Sequence, residues 1–247
     1  MKQAHGRDID EPVISELENK KKGSHDGKSS ICRFGHQGNH STRRRAAHGE
    51  PLLHRAEARK ALQPPFAGLG DPAYIHNVAL LKGFALCMVK NGHEPDLFNY
   101  FLYQLNEEQY HPDLAKKFGL AIGLTDEDFQ KAVPVFECLA HTSKTIHGML
   151  LGSASENRAS ALVNETMVCR YSEEFNDALG KHYGLDNKAL QFFTVHSVAD
   201  QEHTKMAADV IMRHAQTDHQ LELVRDSARH MVRFKIAKFD GIYDAYA

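Results

Sequence analysis

From about residue 51 onward, apolar positions recur every three or four residues, the period of a helix with one buried face. Leu80, Leu81, Phe84 and Met88 do so within 72–91, a segment that stops at Asn91-Gly92. Leu97, Tyr100, Phe101 and Leu105 repeat the spacing. Leu114, Phe118 and Ile122 step by four after His111-Pro112, which puts proline at a favoured first-turn position. Thr125, followed by Asp126, Glu127 and Asp128, reads as an N-terminal cap with carboxylates in the first turn. The helix it opens runs to about residue 151, with a kink expected at Pro134. Residues 156–183 predict a helix stopped by Gly184, and 187–215 and 219–245 predict two more. No stretch alternates with period two for long enough to make a strand. The pattern is that of an all-α bundle of about seven helices. Pro64-Pro65 interrupt the segment before residue 72, so residues 51–62 match a first core helix poorly.

Residues 1–50 lack this periodicity. They hold Lys20-Lys21-Lys22, Arg43-Arg44-Arg45 and many Gly, Ser and His, with ten Lys/Arg against seven Asp/Glu. Such a segment buries too little apolar surface to offset its ordering entropy, so the expectation is a disordered basic, polar extension. Residues 51–247 form the helical domain. They carry the remaining twenty Lys/Arg and twenty-five Asp/Glu, for a net charge of −2 over 247 residues. That balance argues against nucleic-acid binding driven by bulk charge. No apolar run is expected to reach the length of a membrane span, and the polar start is not that of a signal peptide. Cys32, Cys87, Cys138 and Cys169 show no CxxC, which fits a reducing compartment and a cytoplasmic location. Cys32, His36 and His40 lack the further ligand that a zinc site needs.

The composition is unusual in its 17 histidines. His196, Asp200 and His203 stand at i, i+4 and i+7, one stripe of a helix. Phe192, Phe193, Val195, Met206 and Ala207 flank the stripe, so it faces the core. Burying two imidazoles and a carboxylate together is costly unless something compensates, and a metal ion does so. Nitrogen and oxygen ligands without thiolate suit iron, manganese or zinc. Glu107-Glu108-Gln-Tyr-His111 places acid and imidazole at a helix–helix junction, and Glu165 lies in an apolar stretch between Leu162 and Met167–Cys169. Helical bundles make two-metal sites from such carboxylates and histidines on different helices. His141, His147, His214, His219 and His230 read as surface or satisfied histidines.

The segment His182-Tyr-Gly-Leu-Asp-Asn-Lys-Ala-Leu-Gln-Phe-Phe-Thr-Val-His196-Ser-Val-Ala-Asp200-Gln-Glu-His203 resembles a stretch of the haem-oxygenase-like di-iron oxidases and oxygenases, the iron-containing redox enzymes related to TenA/PqqC-type helical proteins. The run from Asn106 to Leu124 is similar to the family's Glu…His-Pro segment. The resemblance covers about residues 72–245 and implies a haem-oxygenase-like fold. It implies Glu108, His111, Glu165, His196, Asp200 and His203 as ligands of two iron ions, with manganese as an alternative metal, Glu107 as an alternative to Glu108, and no catalytic residue beyond the ligands. The short Glu108–His111 spacing is shared with the alkene-forming fatty-acid members. The resemblance also implies O2 as co-substrate, an external electron donor and a homodimer. The function it implies is oxidation of a small molecule, here taken as amine- or amino-acid-derived. Fatty-acid decarboxylation, or a non-catalytic interaction role, is the alternative. Tyr110, Met167, Cys169, Tyr171 and Phe193 are candidate substrate contacts, and Arg170 a candidate carboxylate anchor.

Overall fold

A computed structural model describes residues 51–246, with the side chains of 70, 72–198 and 201–246. The expected disorder of residues 1–50 lies outside the described residues. Eight helices follow one another, with no strand among the described residues: α1 (Pro51–Lys90), α2 (Pro95–Glu108), α3 (His111–Ala121), α4 (Asp126–Lys131), α5 (Phe136–Leu151), α6 (Ala154–Tyr183), α7 (Gln191–His214) and α8 (Asp218–Tyr246).

The all-α bundle is as expected, and two boundaries differ. Pro134 ends a helix instead of kinking one: α4 stops at Lys131 and α5 starts at Phe136, because proline offers no amide to the preceding turn. Pro64-Pro65 do the reverse, since α1 continues through them as one 40-residue helix. A proline bends a helix that the neighbouring turns still support. Within α1, Pro72–Lys90 is long and apolar enough to cross a membrane by length and composition, with mean hydropathy 1.3. This corrects the expectation that no run would be. In the bundle this stretch buries Phe84 and Cys87 in a core with Leu97, Phe101, Met149 and Val210.

Local chemistry sets the other ends. Thr125 caps α4 in a reciprocal capping box with Asp128, and Ser153 caps α6 likewise with Glu156. Gly184 closes α6 in the left-handed conformation, φ 64°, which costs a residue with a Cβ more. Between α2 and α3 the backbone stays close to helical at Gln109 and Tyr110. The break arises because Pro112 has no amide to donate to the carbonyl of Glu108, four residues earlier.

Three apolar clusters surround the middle of the bundle. One joins α3 to the α6–α7 turn through Phe118, Leu179, Leu190 and Phe193. Another joins α6, α7 and α8 through Leu162, Ala207, Ile211 and Met231. The third ties α1, α2, α5 and α7. Outside this core, Asp96 at the start of α2 pairs with Arg213 and His214 at the end of α7. The functional groups lie where these clusters meet.

Candidate metal centre

Glu108 is the last residue of α2 and His111 the first of α3, both buried. Nδ1 of His111 contacts Oε2 of Glu108. From the other side, α7 brings His196 and His203. Ligating atoms of Glu108, His111 and His196 all lie within 4.8 Å of one another, and Nδ1 of His203 is 3.5 Å from Oε1 of Glu108. The rings of His111 and His196 are 4.5 Å apart. Glu165 on α6 lines the same cavity as Glu108 and His196. Asp200 lies on α7 between the two histidines, and its side chain is outside the described ones. Glu107 is exposed and Glu108 buried, which favours Glu108 in the choice that the sequence left open.

Burial pushes the Glu108 carboxyl up, but the hydrogen bond from His111 and the imidazoles of His111, His196 and His203 outweigh it and hold it low. Glu165 goes the other way, to about 8: burial dominates, Arg158 opposes it, and the Glu108 charge adds to it. His196 is lowered to about 4, mainly by burial and then by His111. His203 is lowered by burial against the pull of Glu108.

The donors suit a transition-metal ion. Nδ1–H of His196 donates to the carbonyl of Phe192 at 2.7 Å, which leaves the Nε2 lone pair for a ligand. Oε2 of Glu165 is buried with no hydrogen-bond partner among the described residues, a state that a cation would relieve. Imidazole and carboxylate without thiolate fit iron or manganese.

Arg158, which the sequence reading missed, is 2% exposed. Its guanidinium donates to Tyr100 Oη at 3.0 Å and to Asn157 Oδ1 at 2.8 Å, and it lies 5.2–5.6 Å from the rings of Phe84, Tyr100 and Phe101. It stands seven residues before Glu165, on the same face of α6. Arg170 projects elsewhere: its side chain is 81% exposed and lies 3.8 Å from Glu174, so it cannot anchor a substrate in the cavity.

The cavity opens to solvent, and its empty space including that opening is about 770 Å³. Of the expected substrate contacts, Tyr171 and Phe193 line it. Tyr110 is exposed, and neither it nor Met167 nor Cys169 is in the lining. Cys169 is buried against the carbonyl of Ser197. The lining also holds Asn77, Asn164, Lys235 and Lys238, which the sequence reading did not single out, and His76. His141, read as surface or satisfied, is fully buried, its ring 4.9 Å from that of His76.

Burial, aided by Lys235 and Lys238, holds His76 and His141 well below the ordinary histidine range. Each folded pKa lies below its unfolded value of 6.5, so the stability these neutral rings contribute is complete above 6.5 and lost as pH falls below it. Glu165, with its raised pKa, works in the opposite sense over part of this range. We therefore expect His141→Gln to gain in melting temperature relative to the natural chain as pH drops from about 7.5 to about 5. Parallel melting curves of the two metal-free proteins that show no such divergence would mean that His141 is not held neutral.

Comparisons with known proteins give a family and a fold. The iron-containing redox enzyme family matches residues 101–235, more than half of the chain. The chain belongs to this family. The match spans the segments that carry Glu108, His111, Glu165, His196 and His203. Among solved structures, a domain of unknown function with a heme oxygenase-like fold from Shewanella denitrificans OS217 is similar, at 16% identity and TM-score 0.67, over 79% of this chain and 84% of that one. A TenA homolog from Pseudomonas syringae pv. tomato str. DC3000 is similar at 14% identity and TM-score 0.62, over 77% of this chain and 84% of that one. These likenesses show the haem-oxygenase-like fold. No curated protein matches the chain.

Proposed function

We propose that this member of the iron-containing redox enzyme family is a non-haem di-iron oxidase or oxygenase acting on a small molecule. The observation that carries the reading is the buried cluster of Glu108, His111 and His196, with His203 and Glu165 against it, at the wall of a cavity. Glu108, His111, Glu165, His196, Asp200 and His203 would hold the metal ions. Bound iron would supply reductive activation of O2, with electrons from an external donor.

The chain's own residues prepare the site. The Phe192 carbonyl fixes which nitrogen of His196 carries the proton. His111 and His203 keep Glu108 ionised, and Arg158 favours the charged form of Glu165. Phe118, Phe192 and Phe193 wall the cavity with apolar surface that limits water and receives the body of a substrate. Cytoplasmic location and a homodimer belong to the same reading; Cys87 and Cys138 are free thiols, as a reducing compartment allows.

The test is anaerobic loading with Fe(II), metal counting, and rapid mixing with O2. About two irons per chain and O2 consumption with a reductant support the proposal. A chain that takes up no iron refutes it and leaves a helical scaffold.

A further inference from the structure

The buried stripe of α8 runs Val224, Ala228, Met231, Lys235, Lys238, Ile242, stepping by three and four. Two of its inward positions are lysines. Lys235 is 2% exposed and Lys238 7%, and both line the cavity that holds Glu108, Glu165 and His196. Lys235 Nζ donates to Asn164 Oδ1 at 2.8 Å and lies 5.3 Å from the Tyr171 ring. Lys238 makes no hydrogen bond or ion pair among the described residues.

A lysine is seldom buried without an anion, because its ammonium loses its hydration. The neighbouring elements offer Lys238 little. Across from it, α1 and α5 present His76 and His141, both held neutral, the Cys138 thiol, which burial pushes up, and Glu137, which packs on Gly241 one turn away and makes no ion pair with Lys238 among the described residues. Burial lowers Lys238 itself. The carboxylates of the cavity are Glu108 and Glu165, and on the function proposed above they are committed to metal. No described acid pairs with Lys238, and an anion entering the cavity would hold it in the charged form.

We infer that Lys235 and Lys238 form an anion subsite that holds the carboxylate of the substrate, while the substrate's apolar body lies along Phe118, Phe193 and Phe239 toward Glu108 and His196. The inference rests on the proposed function for what the other end of the cavity does. A carboxylate matches the site better than a phosphate, since two side-chain cations suit one negative charge. The substrate class is therefore a small carboxylic acid with an apolar or aromatic body.

The test uses the full chain, once metal-free and once with Fe(II) under argon, and titrates it calorimetrically with 3-phenylpropionate, 3-phenylpropionamide, 3-phenylpropylamine and phenyl phosphate. The acid should bind at least about 10-fold tighter than the amide, as expected for a hydrogen-bonded ion pair. Lys238→Met should erase that preference, leave amide binding as it was and leave Fe(II) uptake unchanged. Lys238→Gln repeats the measurement if the methionine variant does not fold. The subsite is refuted if the acid binds no tighter than the amide, if the amine or phenyl phosphate binds best, if nothing binds, or if the variants keep the preference. Iron uptake is counted separately, so a chain that takes up no iron but still prefers the acid refutes the metal reading alone.

Discussion

Glu108→Ala should lower Fe(II) affinity by more than about 100-fold, beyond the 10–100-fold typical of losing a group that merely orients a ligand. Glu108 is the group on which the cluster converges. One carboxylate oxygen contacts His111, the other lies 3.5 Å from His203, and the charge also acts on His196. Removing it takes away a donor and the field that draws a cation among three imidazoles. Glu108→Gln should fail nearly as badly, since it keeps the shape and loses the charge. Glu107→Ala, one residue away and exposed, should bind iron like the natural chain. Metal counting after anaerobic loading, beside far-UV circular dichroism to show intact helices, reads all three. Retention of iron by Glu108→Ala would overturn the assignment of this centre.

Arg158→Ala should cost about 3–4 kcal/mol of stability, close to the upper range for truncating a buried side chain. The loss has three sources: a cavity among Phe84, Tyr100 and Phe101, lost hydrogen bonds to Tyr100 and Asn157, and a Glu165 left without the charge that opposes its protonation. At about 2–4 °C per kcal/mol for a domain of this size, the melting temperature falls by about 10 °C. Arg170→Ala should change stability by no more than about 0.5 kcal/mol, as an exposed residue with a long, solvated ion pair. Thermal melts of the metal-free proteins compare them; similar small effects would mean that Arg158 is not the internal counter-charge described here.

The same pair shows where the sequence was legible and where it was not. Both arginines lie on α6, and composition does not distinguish them. Helical phase does: Arg158 is seven residues from Glu165, nearly two full turns, whereas Arg170 is five residues from it and points well away. The spacing of His196 and His203 was readable because i and i+7 share a face whatever the helix packs against. The lysines of α8 were missed because lysine is ordinarily a surface residue, although they occupy the register of Met231 and Ile242. The behaviour of prolines was harder still. Pro134 ends a helix, while Pro64 and Pro65 lie inside one, and the local sequence does not tell the two outcomes apart.

The joint at Pro112 gives α2 the character of a strut. Its first turn is latched to the end of α7 through Asp96, Arg213 and His214, and its last residue meets His203 of the same helix. Both ends are thus tied to one beam, which sets the reach of Glu108 toward α7. His111 stands just past the joint, on α3. Phe118 and Ile122 lock α3 into its apolar cluster, so the Glu108 carboxylate and the His111 imidazole are each held by a different wall of the bundle, and the bite between them is set by packing on both sides of the joint.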